Sequence, residues 1–118
     1  MKVDPESSVT LYEQLRAQII EQVKSGVLIT GTKLPTVRQL AADLGVAPYT
    51  VARVYRLLEQ DGFLETRGRN GTVVSAGDDT AESILQGAAS DYAARARELG
   101  VAPVDAARFV QVALGSDR

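Results

Sequence analysis

Residues 33–74 read KLPTVRQLAADLGVAPYTVARVYRLLEQDGFLETRGRNGTVV, and this stretch decides the fold. Thr36 and Gln39 have the T-x-x-Q spacing of a capping box, which predicts the start of a helix. Gly45 ends that helix, and Pro48 suits the first position of the next one. The end of the stretch holds an Asn-Gly pair between two β-prone segments, which is typical of a hairpin. The stretch therefore predicts helix, tight turn, helix and hairpin.

The sequence on either side adds three more helices. Thr10 and Glu13 form a capping-box pair at the start of an amphipathic helix, whereas residues 1–9 lack periodicity and are predicted to be a flexible arm. Beyond the hairpin the composition shifts to alanine and acid. Two further helices are predicted there, the second opened by Pro103.

These elements predict a mainly α fold with a small β-hairpin. After the arm at 1–9, residues 10–76 would form a winged helix-turn-helix domain, and residues 77–118 a two-helix C-terminal dimerisation segment. Each tail helix has a single apolar face, and two such helices cannot close a core alone, so they must pack on the first module or on another subunit. We predict a homodimer whose interface contains Leu85, Ala88, Tyr92, Ala96, Leu99, Phe109 and Val110.

Composition excludes most catalytic chemistry. The 118 residues include no Cys and no His, which removes thiolate and imidazole ligands, Cys nucleophiles and the commonest general base. The acidic pair at 78–79 lacks a spaced set of further ligands, so no metal, cofactor or catalytic residue is predicted. No apolar run approaches the roughly 20 residues of a membrane span, and we expect a cytoplasmic protein with no membrane partner.

Charge is distributed unevenly along the chain. The net charge of -2 argues mildly against nucleic acid as a partner. Residues 1–76, however, hold nine basic and eight acidic side chains, whereas residues 77–118 hold four basic and seven acidic ones. The first module thus has a slight basic excess, which favours DNA binding only if it lies on one face.

The third helix of the chain separates apolar from polar residues on a wheel of about 100° per residue. Its apolar side consists of Val51, Val54, Tyr55 and Leu58. Its opposite side carries Tyr49, Arg53, Arg56 and Gln60. A DNA major groove admits one helix, whose N-terminal side chains reach base edges first. Tyr49, Thr50 and Arg53 are therefore predicted base contacts, and Arg56 a phosphate contact.

Two further segments carry residues that suit contact with a DNA duplex. Thr36 and Arg38 lie at the N-terminus of the second helix, where free amides and partial positive charge favour a phosphate, although Arg38 could also reach a base. Arg67 and Arg69 flank hairpin glycines, which let a backbone approach closely and suit a wing along the minor groove. This arrangement is a winged helix-turn-helix and predicts DNA binding.

Several short segments also resemble a known family. They are Leu11-Tyr12-Glu13-Gln14-Leu15, Gly31-Thr32-Lys33-Leu34-Pro35, Val37-Arg38-Gln39-Leu40-Ala41, Leu44-Gly45-Val46, Leu58-Glu59-Gln60-Asp61-Gly62 and Gly71-Thr72-Val73-Val74. They are similar to the DNA-binding domain of the GntR family of bacterial transcription regulators. The segment from Pro48 to Tyr55 and the short tail resemble the YtrA-like subfamily, whose tail is typically two helices that dimerise.

The resemblance implies a homodimeric repressor on an inverted-repeat operator. By motif position it implies DNA contacts from Thr36, Arg38, Tyr49, Thr50, Arg53, Arg67, Arg69 and Gly71. Three residues depart from the family pattern. Thr10 replaces a proline, Ala47 replaces a capping Asn at a cost of about 1 kcal/mol, and Tyr49 is bulkier than the usual small polar residue.

Other functions stay open at this point. A winged helix also serves as a protein–protein interaction module without DNA binding, and the negative net charge suits that use. An enzyme would depend on scattered carboxylates alone. A small-molecule effector that binds between the tail and the winged helix-turn-helix domain is a further candidate partner. Such an effector would alter the spacing of the two DNA-binding domains in a dimer. The sequence does not indicate its chemical class.

Overall fold

The computed structural model describes residues 1–68, 71–76 and 80–115. These ranges contain α1 Leu11–Lys24, α2 Val37–Leu44, α3 Pro48–Gln60, β1 Leu64–Thr66, β2 Thr72–Val74, α4 Ala81–Glu98 and α5 Pro103–Leu114. The predicted fold class is confirmed, because three helices and a hairpin form a winged helix-turn-helix and two helices follow it. Within the described residues, no helix combines the length and the apolar character needed to cross a membrane.

Side-chain caps set where the first helices begin. Thr10 Oγ1 accepts a hydrogen bond from the Glu13 N–H at 3.1 Å, and Thr36 Oγ1 accepts one from the Gln39 N–H at 3.1 Å. Gln39 completes its capping box because its Oε1 accepts the Thr36 N–H at 3.0 Å. α3 has no side-chain cap and begins with Pro48, whose fixed φ suits a first helical turn.

The core lies where α1, α2, α3 and the hairpin meet. Its buried members are Leu15, Ile19, Leu34, Leu40, Ala41, Val51, Val54, Tyr55, Leu58, Leu64 and Val74. Full burial of a large aliphatic side chain contributes roughly 1.5–3 kcal/mol. Because every element of the winged helix-turn-helix contributes to this core, packing fixes the orientation of α3 and presents its opposite face to solvent.

The hairpin gains a third backbone edge from the segment that precedes α2. β1 and β2 pair antiparallel over three residue pairs. Lys33 forms an isolated bridge with Val73, and the Leu34 N–H donates to the Thr72 carbonyl at 2.9 Å. The segment before α2 is thus the edge partner that its short β-prone sequence suits.

Tyr55 joins α3 to the segment that enters α2. Its hydroxyl donates to the Pro35 carbonyl at 2.8 Å, and its side chain is only 4% exposed. Burial raises the pKa of the Tyr55 hydroxyl to about 12, because the phenolate would lose its hydration. The bond holds the start of α2 at a fixed distance from α3.

We expect Tyr55 to make folding stability fall at alkaline pH. Its pKa is raised from 10.0 to about 12 on folding, so the stabilisation is complete below pH 10 and is lost as the pH rises to about 12. A shift of this size corresponds to roughly 2–3 kcal/mol at most. Urea unfolding of Tyr55→Phe should show a flatter profile over that range, and a loss of about 1 kcal/mol at neutral pH. Parallel profiles for the variant and the native chain would show that another group is responsible.

α4 lies against the first module through small and polar side chains. Ser90 Oγ donates to the Thr30 carbonyl at 2.6 Å, and Gln86 Oε1 accepts the Thr30 N–H at 3.2 Å. Ser83 Oγ lies 3.4 Å from Thr30 Oγ1. Gly31 permits this approach, since a Cβ at that position would come within 2.9 Å of Ser90 Cβ. These five residues form what we call the Thr30 seam.

α5 packs back onto α4. The Tyr92 hydroxyl donates to the Ala106 carbonyl at 2.8 Å. In these two fully described helices, Ala106 is the only buried residue. The other apolar side chains of the tail therefore lie at least partly on the surface of the single chain.

Residues 1–9 form no helix or strand, but their backbone is bonded to α1. Gln14 Nε2 donates to the carbonyls of Asp4 and Val9, at 2.9 and 2.8 Å. Gln18 makes a similar pair of bonds with the backbone of Lys2. No motif in the sequence predicts these bonds, because a glutamine on a helix surface is ordinarily solvated.

Candidate nucleic-acid interface

α3 has two chemically distinct faces. Its buried face consists of Val51, Val54, Tyr55 and Leu58. On the other side Tyr49 is 69% exposed, Arg53 and Arg56 are exposed, and Thr50 at the start of the helix is half-buried. The burial pattern matches the separation expected from the helical wheel. α3 thus presents a polar surface with two cations.

Arg53 is held by an aromatic ring of α1. Its guanidinium carbon lies 4.3 Å from the centroid of the Tyr12 ring, within the range of a cation–π contact. Stacking fixes the plane of the guanidinium but leaves its N–H groups at the edge, where an acceptor can reach them. Tyr12 was not among the predicted site residues, since at its position in α1 it serves equally well to widen the apolar stripe.

The N-terminus of α2 is the second element of the interface. The Thr36 side chain is engaged in the capping box, so its hydroxyl already accepts one helix amide. The first amides of the helix, those of Val37 and Arg38, have no intrahelical acceptor and point outward. With the exposed Arg38 side chain beside them, they make this end of α2 electropositive.

The hairpin forms the wing and carries Arg67 close to its turn. The Arg67 N–H donates to the Gly71 carbonyl at 2.8 Å, and Gly71 has a φ of +70°, which a residue with a side chain rarely adopts. Arg67 Nε lies 3.4 Å from Glu65 Oε2 in an exposed ion pair. Arg69 lies outside the described residues, so its predicted contact remains a prediction.

Two further cations of the interface, Arg38 and Arg56, have no acidic partner in the part of the chain that the structure describes. Among the described residues, no carboxylate lies within salt-bridge distance of Arg38 or Arg56. Glu59, which is near Arg56 in sequence, instead accepts a bond from Thr66 Oγ1 at 2.7 Å. No group of three His, Cys, Asp or Glu side chains in the described part of the chain is placed to hold a metal ion. The arrangement suits an anionic polymer, because these charges are unpaired and exposed.

The seven tail residues predicted to form a dimer interface lie on the surface or near it. Leu85 is 69% exposed, Leu99 62% and Phe109 48%. Ala88, Tyr92 and Val110 are also exposed, and Ala96 is half-buried. The exposed apolar surface of the tail is larger than predicted, because it also includes Ile84, Val112 and Leu114.

Some known proteins are similar to this chain over the winged helix-turn-helix, and others over most of its length. A family model described as "Bacterial regulatory proteins, gntR family" matches residues 11–74. The HTH-type transcriptional regulator Rv1152 of Mycobacterium tuberculosis is 47% identical over 93% of this chain and 90% of its own length. The HTH-type transcriptional repressor YtrA of Bacillus subtilis is 40% identical over 64% of this chain and 58% of its own length.

A solved structure extends the similarity to the tail. The chain is similar to YtrA from Sulfolobus acidocaldarius, a GntR-family transcription factor, with 28% identity and a TM-score of 0.62. The two chains are covered over 99% and 98% of their lengths. The similarity in fold therefore includes both the winged helix-turn-helix and the two helices that follow it.

The predicted resemblance is confirmed, since the family model matches more than half of the chain and Rv1152 is similar over most of it. The lengths over which the chain matches Rv1152 and YtrA of Sulfolobus acidocaldarius agree with a short YtrA-like member of the family. The chain belongs to the GntR family of bacterial regulatory proteins, and it is accordingly a DNA-binding transcriptional regulator and not an enzyme.

Proposed function

We propose that the protein is a repressor that binds an inverted-repeat operator as a homodimer, with α3 of each subunit in a major groove. The two-sided character of α3 carries this proposal. One side is fixed in the core by four buried residues, and the other presents Tyr49, Arg53 and Arg56 to solvent. A helix held in this way reads a groove with little loss of conformational freedom.

Individual contacts follow from position along α3. Tyr49 and Thr50 lie in its first turn and would reach base edges, as N-terminal residues of recognition helices do. Arg53, one turn later, would donate to a guanine edge from its stacked position on Tyr12. Arg56 lies further along and would contact a phosphate.

Contacts outside α3 would set the register on the duplex. Thr36 and Arg38 at the electropositive end of α2 would hold a phosphate. Arg67 and Arg69 would place the wing along the minor groove, where the backbone at Gly71 can approach closely. Contacts of this kind position the protein, whereas contacts from α3 specify the sequence.

Dimerisation would supply affinity that one module lacks. With nine basic and eight acidic residues in positions 1–76, a single module has little net attraction for phosphate. Two modules joined through the apolar surface of α4 and α5 would bind two half-sites together. The proposed interface consists of seven tail residues, Leu85, Ala88, Tyr92, Ala96, Leu99, Phe109 and Val110.

Repression is the direction of control that the relatives support, because YtrA of Bacillus subtilis is named a repressor. The protein would act in the cytoplasm, where the operator is. A small-molecule effector that changes the spacing of the two α3 helices would relieve repression.

The test is to select genomic fragments with the full chain and to footprint the best of them. We expect protection of two inverted half-sites whose centres are about 10 base pairs, or a multiple of that, apart. Transcription in vitro from the selected promoter should fall when the protein is added. A footprint on one unrepeated half-site would contradict the dimeric arrangement, and unchanged transcription would contradict repression.

Binding to a duplex of random sequence at low salt is the control for sequence specificity. Weak, salt-sensitive binding to it is expected alongside tight binding to the selected operator. Equal affinity for both duplexes would contradict sequence-specific reading.

A further inference from the structure

A cleft of about 460 Å³ opens between the first module and α4, beside the Thr30 seam. Lys33 and Arg67 line it from the module, and Arg97 lines it from α4. We propose that this cleft binds a small multivalent anion, one that bears phosphate or carboxylate groups, and that the anion bridges the two parts of the chain. This anion would be the effector, and its effect on DNA binding depends on the proposed function.

The cleft brings together cations from three separate segments. Lys33 comes from the backbone edge of the hairpin, Arg67 follows β1, and Arg97 lies in the last turn of α4. Among the described residues, neither Lys33 nor Arg97 has a carboxylate within salt-bridge distance. Asp91 is the single carboxylate among the described residues that line the cleft. The described residues that line the cleft thus hold three cations and one carboxylate, with two of the cations on the first module and one on the tail.

Arg67 is free to exchange partners. Arg67 Nε lies 3.4 Å from Glu65 Oε2 and Arg67 Nη2 lies 3.5 Å from Glu65 Oε1, and the two side chains are 43% and 39% exposed. Water screens a pair of this kind, so it contributes little to stability. A multivalent anion offers the Arg67 guanidinium the same parallel arrangement of acceptor oxygens with more negative charge, and charge-assisted bonds of this kind are stronger than neutral ones.

The Thr30 seam next to the cleft makes the position of α4 sensitive to a ligand. α4 is held there by hydrogen bonds to the Thr30 backbone and side chain, and no residue of α4 is buried. Because no residue of α4 is fully buried, packing opposes a small displacement of α4 less than it opposes movement of a core helix. An anion that pulls Arg67 and Arg97 together would draw Arg67 away from the wing surface and change the angle between module and tail.

Direct binding to the DNA-free full chain tests the site. We would titrate inorganic pyrophosphate and, separately, citrate by calorimetry at constant ionic strength. Saturable binding of one anion per chain by at least one probe is expected, and the tighter probe identifies the phosphate or carboxylate class. Absence of saturable binding by both would overturn the proposal.

Charge variants locate the ligand. Arg97→Gln and Lys33→Gln should each weaken anion binding at least about fivefold, the effect of one charge-assisted contact. Arg95→Gln is the matched control, because it removes the same charge two residues away on α4 without lining the cleft; its anion affinity should be unchanged. Asp91→Asn should bind the anion more tightly, since it removes a repulsive carboxylate. Equal losses in Arg95→Gln and Arg97→Gln would mean nonspecific attraction and would overturn the site.

A second comparison separates this cleft from the DNA surface. Arg38→Gln should weaken operator binding but leave pyrophosphate and citrate affinity unchanged. If it lowers anion affinity as much as Arg97→Gln does, the probe occupies the DNA-phosphate surface and the proposed cleft is wrong. If the native chain shows no sequence-specific DNA binding, the proposed function is refuted. The calorimetric result on anion binding remains valid in that case.

The regulatory effect is read with operator DNA. A saturating amount of the binding anion should weaken operator binding severalfold in the native chain and have no such effect in Arg97→Gln. Light scattering confirms that the variant keeps the oligomeric state of the native chain, and Lys33→Gln repeats the test from the module side. Equal effects of the anion on the native chain and on both variants would overturn the regulatory link.

Discussion

Phe109→Asp should convert the protein to monomers and lower its affinity for an inverted-repeat operator at least about a hundredfold. Phe109 is 48% exposed on α5, next to Val110, and it lines one depression together with Tyr92, Ala96 and Leu99. In a symmetric dimer the substitution occurs on both subunits, so two carboxylates would enter one interface. Burying an unpaired charge costs several kcal/mol. The two subunits should therefore separate and leave the carboxylates in water.

Loss of the dimer should reduce operator binding without unfolding the module. The core of the winged helix-turn-helix is built from α1, α2, α3 and the hairpin, and no residue of α5 belongs to it. A monomer would still place one α3 in a groove but would bind only one half-site. Light scattering measures the mass, fluorescence anisotropy with labelled operator measures the affinity, and circular dichroism checks that the helices remain.

Val104→Asp is the matched control for this experiment. Val104 is also an exposed apolar residue of α5, but it lies about 140° around the helix from Phe109 and is not among the predicted interface residues. An acid there is also favourable in the first turn of a helix. The control should stay dimeric with native operator affinity. If Phe109→Asp itself remains a dimer of unchanged dissociation constant, this surface is not the interface.

Helix ends were predictable because capping acts over three or four residues. The capping box of Thr36 and Gln39 and the N-terminal Pro48 are local signals, and α2 and α3 begin where those signals place them. The two faces of α3 follow from its periodicity for the same reason. Helical periodicity is visible in the sequence, and burial of the apolar side determines which side chains are left outside.

Contacts between distant segments were not predictable in the same way. The Thr30 seam joins residues 60 positions apart through small polar side chains, and serine and glutamine on a helix have many solvated alternatives. Gly31 has a φ of +84°, and its lack of a side chain also lets Ser90 approach, a contact that no local motif indicates. The stack of Arg53 on Tyr12 likewise depends on how α1 crosses α3, which no spacing within either helix specifies.

Arg53→Ala should weaken operator binding by about fivefold to a hundredfold, the range for loss of one specific base contact of roughly 1–3 kcal/mol. Binding to random duplex should change much less, so the variant loses preference and not general attraction. Anisotropy titrations with operator and random duplex, repeated at several salt concentrations, measure both quantities. An equal loss on the two duplexes would mean that Arg53 contacts phosphate and reads no base.

Tyr12 should influence operator binding only through Arg53. Tyr12→Phe keeps the aromatic face and should leave operator affinity close to native, whereas Tyr12→Leu keeps apolar bulk but removes the π system that attracts the guanidinium. A cation–π contact at an exposed site contributes about 0.5–1 kcal/mol, so Tyr12→Leu should cost roughly two- to fivefold. Thermal unfolding shows whether α1 still packs normally in each variant.

The double variant decides whether the two residues act together. In the Arg53→Ala background, Tyr12→Leu should have almost no further effect on operator affinity, because the group that Tyr12 orients is already gone. Additive losses would show that Tyr12 contacts the DNA itself or stabilises the fold independently. Strong coupling would instead mean that α1, which makes no other proposed contact with DNA, contributes to sequence reading by holding Arg53 in a fixed plane against α3.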